Sequence, residues 1–67
     1  MSPPRDTPEE IDWLHGLGFI RSVELNGAGL WSHPSCPGVE LHGAANALAY
    51  SEGRPLPYPA NPAFPWM

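Results

Sequence analysis

Residues 19–34 read FIRSVELNGAGLWSHP, and the fold turns on this stretch. From Phe19 to Leu25 the pattern has a period of two. Phe19, Arg21, Val23 and Leu25 would share one face of a strand, and Ile20, Ser22 and Glu24 the other. Asn26-Gly27 follows at once, and this pair accepts the positive φ angles of a two-residue hairpin turn. Leu30 to His33 then reads as the returning strand, stopped by Pro34. The segment is predicted to be a β-hairpin.

Downstream, Pro37-Gly38 is a second turn signal, after which residues 39–42 predict a short third strand. Residues 44–52 are alanine-rich and predict a helix, with Ala45, Leu48 and Ala49 on one side and Gly53 as its stop. Upstream, Thr7-Pro8-Glu9-Glu10 is a strong helix start. Thr7 is the N-cap, Pro8 occupies the first helical position and Glu10 completes a capping box. Ile11, Trp13, Leu14 and Leu17 form an apolar stripe on a helix over residues 8–17, which Gly16 or Gly18 should close. Residues 1–6 read as a flexible leader.

The fold class is therefore α+β: one small α-β-β-β-α domain with a three-stranded antiparallel sheet. Residues 1–53 form its core. Residues 54–67, RPLPYPANPAFPWM, carry five prolines and can be neither helix nor inner strand. Leu56, Tyr58, Phe64 and Trp66 make this stretch too apolar for a linker. It is expected to be an arm packed on the same domain, because 67 residues enclose little core without help.

Charge narrows the function. Seven carboxylates face three arginines, with no lysine, for a net charge of −4. Nucleic-acid binding by displaced counterions needs many cationic side chains, so direct contact with DNA or RNA is not expected. A basic protein surface is the natural partner. Glu9, Glu10, Asp12, Glu24 and Glu40 are the candidate contact residues, with Glu9, Glu10 and Asp12 the densest group.

Three groups of residues carry functional side chains. His33, Cys36 and His42, with His15, are zinc-type donors, yet no paired ligands at short spacing accompany them, and no metal or cofactor is expected. Cys36 as a nucleophile would need an oriented base and an oxyanion loop, and neither is evident. RPLPYP, residues 54–59, approaches an SH3-type ligand but misplaces its second proline by one residue. No catalytic residue is assigned. A single cysteine excludes an internal disulfide, and nothing reads as a signal peptide or membrane span. A soluble, cytoplasmic monomer is expected.

Two resemblances add to this. Residues 14–34, LHGLGFIRSVELNGAGLWSHP, resemble the HicA family of small messenger-RNA interferases, which have a double-stranded-RNA-binding-like fold. Leu17, Gly18 and Phe19 match its Leu-Gly-Phe at the end of helix one, and Trp31, His33 and Pro34 match its aromatic and His-Pro positions. The family's catalytic histidine falls here on Ala28 or Gly29, so RNA cleavage would lack its acid/base group. By overall character the chain resembles small anti-CRISPR proteins of phages and mobile elements, inhibitors of type I systems. That resemblance implies a non-enzymatic blocker of a CRISPR surveillance complex, acting by placing carboxylates against a basic nucleic-acid channel. The alternative it leaves is a HicA-like RNA-binding or toxin-derived protein.

Overall fold

Thr7 opens the first helix as its sequence requires. In the computed structural model, which describes residues 3–59, α1 spans Pro8–Gly16. The Glu10 amide donates to Thr7 Oγ1 at 3.2 Å, and the Thr7 amide donates to Glu10 Oε1 at 3.0 Å. The helix stops at Gly18, not Gly16. Gly18 takes φ +93°, its amide reaches His15 O at 3.0 Å, and the Phe19 amide reaches Leu14 O at 3.0 Å. This is the paired-bond stop of a glycine-capped helix, and Leu14 and Phe19 both enter the core.

The hairpin follows. Strands β1 (Ile20–Leu25) and β2 (Ala28–Ser32) are antiparallel, with Leu25 opposite Ala28 across the turn. Asn26 at φ 55° and Gly27 at φ 84° supply the two left-handed residues that the turn needs. The strict alternation expected for β1 does not survive. Between the pairs Arg21–Trp31 and Glu24–Gly29, two residues of β1 face one of β2, which is a β-bulge. The bulge shifts the phase, so Val23 is 62% exposed instead of joining Arg21 on the inner face. Ser22 Oγ donates to Leu30 O at 3.1 Å within the bulge. A bulged, charge-bearing edge is also a poor template for further strand pairing.

A short third strand, β3 (Leu41–His42), pairs antiparallel with β2 and completes an open sheet of order β1-β2-β3. It is shorter than the four residues expected. Helix α2 (Ala44–Ser51) lies over β2 and β3, and α1 packs beside α2. The core is Leu14, Phe19, Trp31, Leu41, Ala44 and Ala47, flanked by Ile11, Val39, Leu48 and Leu56. Trp31 is fully buried, and the alanines of α2 leave room for its ring. On α2, Ala44, Ala47 and Ala49 are buried and Leu48 packs on the core, so Leu48 and Ala49 face inward as expected while Ala45 is only half-buried. Gly53 at φ 71° closes α2 as expected, with Arg54 N donating to Ala49 O at 2.9 Å.

Two parts of the reading change. The expected leader is anchored where it is described: Pro3 is buried against Gly43, and Asp6 N donates to Gly27 O at 3.0 Å. Trp13 does not join the apolar stripe. A helix of nine residues turns only Ile11 and Leu14 inward, and Trp13 is 63% exposed. The arm begins as anticipated, since Leu56 packs against the core and Asn46 grips Tyr58 through two bonds, Nδ2 to Tyr58 O at 2.6 Å and Tyr58 N to Oδ1 at 3.0 Å. Phe64 and Trp66 lie outside the described residues.

Candidate functional site

Asp6 is the electrostatic centre of the fold. Its side chain is fully buried, and Oδ2 accepts from Arg21 Nε at 2.9 Å, Gly29 N at 2.9 Å and Trp31 Nε1 at 3.1 Å. Oδ1 accepts from Ala44 N at 2.7 Å. That last bond caps α2, whose own N-cap, Gly43, has no side chain to offer. Burial alone would push the Asp6 carboxyl up. The amides of Gly29 and Ala44, then Arg21 and Trp31, outweigh it and hold the group below the ordinary aspartate value. Asp6 thus joins the leader, the sheet and α2, and its role is structural.

The candidate carboxylates are spread over the molecule. Glu9, Glu10 and Asp12 sit on α1, Glu24 at the end of the hairpin and Glu40 just before β3. Glu10 is committed to the capping box, and Glu24 receives Arg21 Nη2 at 3.3 Å. Glu9, Asp12 and Glu40 face solvent. Of the arginines, Arg21 is held by Asp6 and Glu24, and Arg54 reaches Glu52 at 2.6 Å.

The three histidines are engaged separately, and Cys36 lies beside His33, its amide donating to His33 O at 2.9 Å. Ser35 N donates to His33 Nδ1 at 3.0 Å, so the ring proton must lie on Nε2, which meets Leu17 O at 2.9 Å. Both ring nitrogens of His33 are thus engaged, and its ring packs edge-on to Phe19 with centroids 4.9 Å apart. His42 is buried beside Leu25 O at 3.3 Å, and His15 lies against the Trp31 ring. Among the described residues, no three of the His, Cys, Asp and Glu side chains converge as a metal cluster. Cys36 borders an open hollow of about 490 Å³ shared with Ile20, His33 and Val39. Side-chain hydrogen bonding with Cys36, then charge interaction with it and desolvation, raise the Tyr50 phenol above its ordinary value. Cys36→Ser keeps a hydroxyl for this bond. It is expected to change unfolding free energy, read by urea titration, by no more than about 0.5 kcal/mol.

A second concavity lies between the helices. Glu9, Glu10 and Trp13 of α1 line it with Leu48 and Glu52, and its volume is about 310 Å³. Of these residues, the reading of the sequence selected Glu9 and Glu10 as contacts and missed Trp13, Leu48 and Glu52. The available signal was spacing: Glu9 and Trp13, like Leu48 and Glu52, are four apart and so neighbours on a helix face. Asp6 was missed as well. Its signal was the pair Asp6-Thr7, two capping-type residues where α1 needs one.

Among the described residues, no helix is long and apolar enough to cross a membrane. Comparison with protein-family models, curated proteins and solved structures finds no match to the chain. The α+β fold and the surface chemistry are thus the ground for a functional reading.

Proposed function

We propose that the protein is a non-enzymatic, acidic inhibitor of anti-CRISPR type. It acts in the cytoplasm of a bacterial host by binding a basic nucleic-acid-binding surface of a type I surveillance complex and blocking DNA access. The observation that carries this reading is the disposition of charge. Two of the three arginines, Arg21 and Arg54, are held in internal pairs, while Glu9, Asp12 and Glu40 face solvent against the single exposed Arg5, so the surface field is negative. Such a field attracts a basic channel and repels nucleic acid. The helix–three strands–helix order supports the second reading, a HicA-like RNA-binding protein. The absence of lysine counts against it.

The test is capture of the surveillance complex from cells that contain one, using the intact protein and the double variant Glu9→Gln/Asp12→Asn. The variant should fold normally, bind more weakly and lose part of the parent's salt sensitivity, since exposed charges are screened over about 8–10 Å. Unchanged binding would remove α1 as the electrostatic contact. A strong salt-sensitive gel shift with RNA would favour the HicA-like reading.

A further inference from the structure

We infer that the groove between α1 and α2 receives an arginine side chain from a basic segment of the partner protein. This rests on the acidic-surface reading above and gives it a specific contact. Three observations carry it. Trp13 is a large aromatic left 63% exposed on the helix face beside Leu48. Three carboxylates line the groove with it: Glu9, Glu10, which accepts from Thr7, and Glu52, which pairs with Arg54. The rim already holds one guanidinium in cis, Arg54 Nε lying 2.6 Å from Glu52 Oε1.

These features suit arginine. Its planar guanidinium stacks on an indole face while its edge donates to carboxylates, which an ammonium does less well. The groove, about 310 Å³ and open, is at the lower limit of ligand-pocket sizes and fits one long side chain laid along a surface. A second copy of this chain is a poor occupant. Each copy carries a charge of −4, and of its three arginines Arg21 is held by Asp6 and Arg54 lies on its own Glu52, which leaves only Arg5 exposed without an ion pair among the described residues. A phosphate-bearing ligand would be repelled by the same rim. Arg54 acts as an internal competitor for Glu52, so its removal should help the incoming group.

The experiment follows backbone and indole N–H resonances of the intact protein at low salt during titration with the peptide Gly-Arg-Gly-Arg-Gly. Parallel titrations use its lysine and citrulline counterparts. Saturable shifts at the Trp13 indole and at Glu9, Leu48 and Glu52 are expected with arginine, weaker ones with lysine and none with citrulline. Trp13→Ala should weaken binding about two- to fivefold, the range of a cation stacked on an exposed ring. Glu52→Gln should weaken it also, and Arg54→Ala should strengthen it. Trp13 is exposed, so its variant should keep the parent spectrum elsewhere; Glu52→Gln gives the same test without altering packing. Binding that is indifferent to Trp13→Ala and Glu52→Gln, or shifts confined to another face, would overturn the groove and leave the acidic-surface reading standing. Equal shifts with citrulline would overturn the arginine assignment. No shift anywhere would overturn the groove and weigh against a basic partner altogether.

Discussion

Asp6→Ala is expected to remove most of the protein's stability at 25 °C, although the residue precedes the first helix. The substitution removes four hydrogen bonds at once, from Arg21, Gly29, Trp31 and Ala44. It leaves the half-buried guanidinium of Arg21 without its nearest counter-charge, the indole N–H of buried Trp31 without its acceptor, and α2 without its cap. Breaking a buried ion pair by deleting one partner costs about 3–5 kcal/mol. A domain of this size has on the order of 5 kcal/mol in all. Circular dichroism against temperature is the measurement, and a parent-like melt would refute the role given to Asp6.

The same group predicts an acid limb. Its folded pKa lies below the unfolded value, so its contribution is complete above the unfolded pKa, about 3.9, and is lost as pH falls through the lowered folded value. Stability should therefore be flat in this respect above about pH 5 and decline below about pH 4. Asp6→Asn keeps the shape without the charge. It should be less stable at neutral pH and show a shallower acid decline; an unchanged acid profile would assign that limb to the surface carboxylates.

Truncation after Gly53 should have the second-largest effect. Leu56 packs half-buried on the core, and its removal forfeits part of the ~1.5–3 kcal/mol that full burial of such a side chain is worth. Tyr58 satisfies both ends of the Asn46 amide, which is fully buried on α2, and an unsatisfied buried polar group costs about 1–3 kcal/mol. Together these should lower the melting temperature by at least about 10 °C in so small a domain. Asn46→Ala tests the clamp alone, since it cuts the bonds to Tyr58 and His42 O but leaves Leu56 in the chain. It should fall between the parent and the truncation. A truncated chain that melts with the parent would show that the arm contributes nothing to the fold.

The elements were legible in the sequence because short-range interactions specify them. Thr7 and Glu10 close a capping box three residues apart. Gly18 and Gly53 stop helices through bonds spanning three to five residues, and Asn26-Gly27 makes a turn whose strands are its immediate neighbours. The acidic character of the candidate surface was legible too, since charge is a property of composition. The centre of the fold was not. Asp6 meets Arg21 across 15 residues, Trp31 across 25 and Ala44 across 38, and no local pattern distinguishes it from a leader aspartate. The bulge in β1 arises from pairing with β2, so an alternation that looked unbroken along one strand placed Val23 on the wrong face. The groove followed the same rule. Spacing put Glu9 beside Trp13 and Leu48 beside Glu52, but only the packing of α1 on α2 set those pairs facing each other, because helix contacts are decided by the shared core and not by either helix alone.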